Sequence, residues 1–507
     1  MSGDIIGIDL GTTNSCCAIV QDDGNVKIIP YRGGETTIPS IYAIDDKGNE
    51  LVGYEAKRQW LLNPQRTVYG AKRLIGREFQ SGFVKKMGEY FAYEMEAGNE
   101  GNVVIPLGDD TLNLSQVSAK ILNTIRTVAA DFLQKPISRA VVTVPAYFND
   151  RQRQSVKDAG KMIDLEIVRI INEPTAAAMA YGIRQNLDLT VAIYDLGGGT
   201  FDVSVIEIRG RTFEVKATGG DIFLGGIDWD NALIQYIIGD FKEKNGVDLT
   251  EDLIAMQRIK DLAERTKIDL SSRTEAPFSI PFVTMTPEGT PLDINLVITR
   301  DKYEELTKPL VDHTIEIADM VVKDAGMEVH QLDEILLVGG QTRWPAVQNA
   351  VENYFKKPAA KNVHPDEAVA VGAALYAHSL ETDVVDQKLQ LLDVIPMAIG
   401  IEDAKGNLYE IFKKNASVPN QRPITFTTSY NDQEELAMRI YQGQEKEAQK
   451  NELLGEFEFS DIRKGPKGSV KVEVVFDCNV EGILSLSAHD KDTGVKMETT
   501  LKVAGTE

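Results

Sequence analysis

The sequence carries only 3 cysteines and 3 tryptophans in 507 residues, and it is short of basic side chains. Cys16, Cys17 and Cys478 are too few for a disulfide framework or a zinc site. Cys16 and Cys17 adjoin on a strand-like apolar run, where packing is the default role and redox chemistry the exception. No apolar stretch reaches the length that spans a bilayer. Met1 to Asp4 lead straight into a strand-like run, without the basic segment and apolar core of a signal peptide. A reducing, cytoplasmic location is the expectation. Against 54 Lys and Arg stand 77 Asp and Glu, a formal charge of -23. Such a surface repels phosphate backbones and anionic lipid, which argues against nucleic acid and membrane as general partners. The charge serves solubility or attracts a basic partner. What is present is ordinary globular material, with 43% hydrophobic and 26% charged residues. At this length two to four domains are expected rather than one core.

Two segments echo each other. Ile5 to Asn14 reads IIGIDLGTTN, an apolar run ending in Asp9, a Gly/Thr turn, and then more strand. Val191 to Thr200 reads VAIYDLGGGT, with Asp195 in the same place and FDVSVI following. A fainter echo pairs Val141–Pro145 with Ile335–Gly340. Duplicated strand–turn–strand units mixed with helices predict two related α/β lobes facing each other across a cleft. Apolar residues at helical spacing predict helices over 116–134, 252–270 and 302–325, the second capped near Thr250 and Glu251.

After about residue 382 the texture changes. Residues 383–393 read as a linker, and from Val394 the period falls to two. Ile424 and Phe426, Leu436, Met438 and Ile440, Phe457 and Phe459, and Val470, Val472, Val474 and Phe476 each alternate with polar or small neighbours. Turn signals separate these runs, which predicts an antiparallel β-sandwich. The expected division is 1–382, the two-lobed α/β region; 383–393, a linker; and 394–507, the sandwich.

A Gly/Thr turn after a buried strand aims several backbone N–H groups at one point, which suits an anion. Two such turns, each led by Asp, suit the β- and γ-phosphates of a nucleotide, with Asp9, Asp195 and Asp202 around Mg2+ largely through water. The plainer alternative is a pair of structural turns capped by Asp, which leaves the duplication unexplained. Gly225-Gly226 and Gly339-Gly340 add further close-approach points, the latter beside Arg343 and suited to a nucleoside. Glu173, just before Pro174 and an alanine-rich helix, is either a water-positioning carboxylate or a charge complementing a helix start.

These motifs, with AKRLIGREF, VVTVPAYFND, RIINEPTAAAMAYG, AERTKIDLSS, LLVGGQTR and HPDEAVAVGAAL, stand in the order and spacing of the 70-kDa heat-shock chaperones. The chain resembles a bacterial DnaK-type member from residue 5 to about 503. The resemblance implies an actin-like, two-lobed ATPase, a linker and a peptide-binding β-sandwich, acting in protein folding and the stress response. Position by position it implies phosphate contacts from Thr12, Thr13 and Thr200, and backbone from Gly197, Gly198, Gly199, Gly225 and Gly226. It implies a Mg2+ shell ordered by Asp9 and Asp195, with room for K+, and Lys72, Glu173, Asp202 and Thr200 as the catalytic set. Glu264, Lys267, Ser271, Gly340, Arg343 and Asp366 would line the adenosine pocket for ATP or ADP. Ile401, Phe426, Leu436, Met438, Val472 and Val474 would form an apolar pocket for extended polypeptide, where ordinary sandwich core is the alternative. Pro145, Arg153, Leu391, Leu392 and Asp393 would relay the nucleotide state between domains. A J-domain co-chaperone and a GrpE-type exchange factor are the implied partners.

Departures carry expectations of their own. Gln390 interrupts the usual leucine run of the linker and is expected to weaken its docking. Ile227 replaces an acidic residue, Gln341 a small hydroxyl one, and Trp344 is bulky near the nucleoside. Ala404 and Ser429 are small where an arch over the peptide is usual, predicting a more open groove. The sequence stops at Glu507, where the family continues into a helical lid, so the lid is expected to be absent and bound peptide to leave fast. Other classes considered are a small-molecule kinase of the same fold and a nucleotide-dependent interaction module that does not cycle; the appended sandwich argues against the first, and intact Lys72, Glu173 and Thr200 against the second.

Overall fold

The computed structural model describes residues 5–502 except 89, 100, 109, 184–187, 287–288, 362–363, 383, 385–387 and 498. Most of the expected linker start and the chain end at 503–507 therefore lie outside the described residues.

The duplication read from the sequence is built into two sheets of matching order. In the first lobe the strands run Glu166–Asn172, Arg139–Val144, Ile5–Asp9, Asn14–Val20, Val26–Ile28. In the second they run Glu334–Val338, Asp188–Leu196, Phe201–Arg209, Thr212–Asp221. Each Asp-bearing strand lies antiparallel to the strand after its turn and parallel to the partner of the fainter echo, Arg139–Val144 or Glu334–Val338. Strands buried on both faces explain the unbroken apolar runs IIGI and VAIY.

Two alanine-rich helices, Glu173–Gly182 and Ala368–Glu381, lie between the lobes. Their backbones nearly touch: a Cβ on Gly372 would fall 1.7 Å from the Ala176 carbonyl oxygen, and one on Gly7 2.1 Å from the Ala374 nitrogen. Alanine and glycine are needed there because any larger side chain would hold the sheets apart. The three helices read from periodicity are present as Leu114–Leu133, Leu253–Ser272 and Arg300–Asp324. The cap of the second is Asp252, whose side chain accepts from the Ile254 and Ala255 N–H groups, rather than Thr250 or Glu251. Trp344 is not beside the nucleoside site; it is buried against Tyr303 in the core of the second lobe.

Past the lobes, Leu408–Phe412, Ile399–Glu402, Leu436–Gln442, Glu452–Phe459 and Thr499–Lys502 make one antiparallel sheet. Asn420–Thr427, Lys471–Cys478 and Leu484–Asp490 make the other. Their inner faces share a core with Ile440, Phe459, Val470, Phe476 and Ala488.

The end of the expected linker is itself a strand. Gln390–Val394 pairs in parallel with Thr212–Asp221, in the register Phe213 to Leu391, and antiparallel with Ser417–Val418. It thus extends the second lobe's sheet and carries the chain into the sandwich. Leu389 is buried and Leu391 packs on the lobe's apolar core, whereas Gln390 and Leu392 are exposed. The expected weakening by Gln390 meets a physical obstacle: with a period of two, the polar residue occupies the outward position and its N–H donates to the Arg211 carbonyl at 3.0 Å.

Candidate functional site

The two Gly/Thr turns meet at the bottom of the cleft between the lobes. A Cβ on Gly198 would fall 1.9 Å from the Thr13 hydroxyl, and one on Gly199 2.4 Å from a Thr12 methyl, so each lobe's turn fills the space the other leaves. The third turn stacks on the second: Gly226 N–H donates to Gly197 O at 3.0 Å and Ile227 N–H to Gly198 O at 2.9 Å. Helix Gly226–Asn245 starts there, adding the positive end of its dipole to the same place. Arg73 ties the set together. Its buried guanidinium donates to Gly199 O at 2.8 Å and to Asp228 Oδ2 at 2.6 Å, and that same oxygen accepts from Gly225 N–H at 2.8 Å. Sequence reading passed over Arg73 and Asp228, because a single arginine beside a motif lysine carries no spacing signal.

Lys72, on a short 3-10 turn of the first lobe, donates to Glu173 Oε1 at 2.6 Å, with side chains only 6% and 9% exposed. Glu173 opens its helix, a helix-start carboxylate, and also lines the cleft. Around this pair stand Asp9, Asp195 and Asp202; the last two face each other across the hairpin, and Asp202 accepts from Tyr147 N–H at 3.3 Å. Burial, then the Glu173 charge, pushes the Asp9 carboxyl up to about 7 and that of Asp202 up to about 8. Burial and the neighbouring carboxylates push Asp195 up as well. Four carboxyl groups beside one lysine are a donor set that lacks positive charge, and Mg2+ fits that deficit. Among the described residues no three His, Cys, Asp or Glu side chains come close enough to ligate an ion together. Asp9 and Asp195 therefore suit an ion held through water and phosphate oxygens rather than by the protein alone.

A test follows from the sign of these shifts. A carboxyl raised in the folded state contributes stability that is full below the ordinary carboxyl range and is lost as pH rises through about 7 for Asp9 and about 8 for Asp202. A cation cancels the repulsion that causes the loss. Mg2+ with ADP is expected to raise the melting temperature more at about pH 8 than at about pH 6; equal gains would refute a cation near these groups.

Above the turns the cleft opens into a cavity of about 490 Å3. Glu264, Lys267, Gly340, Arg343 and Asp366 line it, along with Ile227 and Gln341. Lys267 donates to Gly226 O at 2.9 Å and to Asp230 at 2.8 Å, and Arg343 pairs with Asp366 at 2.6 Å. Ser271 is not brought in; its hydroxyl donates to Lys267 O one helical turn back. Lys57 from the first lobe and Glu264 from the second pair across the mouth at 3.3 Å.

In the sandwich, Val472 and Val474 are fully buried and Met438 nearly so, while Ile401, Phe426 and Leu436 are partly exposed. The three buried side chains have the surroundings of ordinary core. Arg153 and Asp393, both expected in the relay, join one hydrogen-bonded network. Arg153 is buried and donates to Ala146 O, Phe148 O and Asn172 Oδ1, and Asn172 Nδ2 donates to Asp393 at 2.9 Å. Pro145 ends the strand before this turn, and Phe148 N–H donates to its carbonyl. Missed from the sequence were Asp150, which accepts from Leu484 N–H at 2.6 Å, and Glu481, which accepts from Ile170 N–H at 2.9 Å and from Lys157. Contacts between residues more than 300 positions apart leave no local pattern.

Paired lobes of matching sheet order, glycine turns that meet in the cleft between them and an attached antiparallel sandwich define an actin-like α/β fold with an appended β-sandwich. The family model for Hsp70 proteins matches residues 5–506, and the chain belongs to the Hsp70 family. Members of this family are ATP-dependent chaperones and ATPases; they bind ATP or ADP with Mg2+, unfolded polypeptides and co-chaperones.

Proposed function

We propose that this chain hydrolyses ATP and uses the nucleotide state to control binding and release of extended apolar polypeptide segments, as a bacterial DnaK-type chaperone. The observation that carries this reading is the strand Gln390–Val394, which is at once part of the second lobe's sheet and the entry to the sandwich. A rearrangement of that lobe therefore reaches the sandwich through backbone. The proposed units are 1–382, 383–393 and 394–507.

In the site, backbone N–H groups of Gly197, Gly198, Gly199, Gly225 and Gly226, with the hydroxyls of Thr12, Thr13 and Thr200, hold and orient the phosphates. Lys72 offsets charge developing on the γ-phosphate. Glu173 fixes the Lys72 ammonium, and with Asp202 it accepts hydrogen bonds from the attacking water, holding it in line. Bound Mg2+ would neutralise the phosphate oxygens, its water shell oriented by Asp9 and Asp195. Arg343 and Lys267, with Glu264, Gly340 and Asp366, close on the adenosine. Ile401, Phe426, Leu436, Met438, Val472 and Val474 would take a Leu- or Ile-like side chain once the two sheets part at that edge. A J-domain protein and a GrpE-type exchange factor are the proposed helpers. The buried, unpaired Cys16, Cys17 and Cys478 support a reducing, cytoplasmic setting.

The deciding measurement is steady-state ATP hydrolysis with and without an apolar peptide. Turnover that rises with peptide is expected; turnover indifferent to peptide would refute coupling, and no turnover would refute the ATPase roles.

A further inference from the structure

A second junction between the lobes and the sandwich lies away from the linker. Arg77 follows Lys72 by five residues, at the end of a run of tight turns in which Leu74 N–H donates to Ala71 O and Arg77 N–H to Leu74 O. Its side chain is 6% exposed. The guanidinium carbon lies 4.9 Å from the Phe83 ring centre and 5.0 Å from that of Phe223. These two rings stack at 3.6 Å, and they come from opposite lobes. Phe83 belongs to the short helix Gly82–Gly88 of the first lobe. Phe223 sits in the turn just before Gly225 and Gly226, with its N–H donating to Asp221 at 2.8 Å. The third member is from the sandwich: Arg77 Nη1 reaches Glu452 Oε2 at 3.3 Å. Among the described residues Arg77 Nε has no hydrogen-bond partner.

The chemistry of this arrangement makes two events depend on each other. Arginine is always charged, so burial between two rings leaves it in need of a counter-charge. The π faces supply part of it and Glu452 the rest. When the lobes close, Phe223 meets Phe83 and water is removed from Arg77, which strengthens its attraction for Glu452. When the lobes part, the guanidinium regains water and the attraction weakens. Conversely, a docked Glu452 favours the closed lobes, as linkage requires. The position suits this task on both sides. In sequence Arg77 follows Lys72 by five residues and Phe223 precedes Gly225 by two. Glu452 begins the strand Glu452–Phe459 and pairs in register with Gln442, the last residue of the strand that carries Leu436 and Met438.

We infer that Arg77 is a positioning residue that links lobe closure around the nucleotide to docking of the sandwich, through the Phe83–Phe223 stack on one side and Glu452 on the other. It acts in parallel with the linker strand and rests on the chaperone reading above.

The test uses the full chain and compares Glu452→Gln, Phe223→Leu and the double variant. Peptide dissociation is timed with and without ATP, and ADP affinity is measured for each. Wild type is expected to release peptide faster with ATP. In Glu452→Gln that acceleration should fall about tenfold, and ADP affinity should fall with it, since a docked Glu452 favours the closed lobes. Phe223→Leu should weaken ADP binding as well as the acceleration. In the double variant the loss of acceleration should be little larger than in either single one, because each breaks the same chain of contacts. An unchanged acceleration in Glu452→Gln would overturn the inference, and so would losses that simply add, because they would make Glu452 a plain docking contact. A wild type whose release ignores ATP would overturn the chaperone reading and this inference with it; the variants alone separate the two failures.

Discussion

Lys72→Ala is expected to lower ATP turnover by about two to three orders of magnitude, while ADP affinity changes by less than about tenfold. The ammonium is a positive charge set beside the carboxyls of Glu173, Asp9, Asp195 and Asp202. The ground state keeps the backbone donors of three glycine turns, so binding survives. The transition state loses the group aimed at the charge it develops, so the loss falls on the rate of the chemical step rather than on KM. Breaking a buried ion pair typically costs about 3–5 kcal/mol of stability. Single-turnover hydrolysis with ADP affinity in parallel decides the point. Turnover within a few-fold of wild type would remove Lys72 from the reaction, and turnover and affinity lost together would make its role structural.

The second large effect is expected at the linker strand. Leu391→Asp should abolish the acceleration of peptide release by ATP while leaving ATP hydrolysis within about threefold. Leu391 packs its side chain on the apolar core of the second lobe next to Phe213, and its backbone is in register with that residue. The substitution loses part of the roughly 1.5–3 kcal/mol of a fully buried leucine, since Leu391 is partly buried, and asks a charge to take its place, so docking should weaken by about two orders of magnitude. Leu392→Asp is the control. Its side chain is 45% exposed on the other face of the same strand, so it should change release little. Equal effects at 391 and 392 would mean that the strand's inward face does not hold the linker. A normal ATP response in Leu391→Asp would remove this strand from the coupling.

What the sequence made legible follows from the range of the forces involved. The echo of Ile5–Asp9 and Asp188–Leu196 was readable because sheet burial writes an unbroken apolar run into each copy, and the glycine turn after it is local. The sandwich was readable from its period of two. The glycine turns were readable as turns, and their mutual fit, Gly198 against Thr13 and Gly199 against Thr12, adds what no single turn could say. Three kinds of residue were misjudged. Trp344 and Ser271 lie in recognisable motifs, but their side chains point away from the cavity, a matter of rotation about a helix or turn that spacing alone does not fix. Gln390 looked like a defect in a leucine run until strand pairing showed which face it takes. Arg73, Asp150, Arg77 and Glu481 were passed over because their partners are brought to them only by the packing of separate units.

The pairing of Gln390–Val394 with Thr212–Asp221 has one more consequence, for behaviour in solution. When the linker leaves, the outer edge of the second lobe's sheet loses its neighbour, and bare sheet edges invite other chains to add on. The bared strand holds charges that discourage this: Glu214 and Lys216 pair with each other at 2.8 Å, and Lys216 also reaches Glu207 at 2.9 Å. A molecule whose work would bring it among unfolded, strand-forming chains thus keeps its own opened edge salted with both signs of charge, so that undocking need not end in self-association.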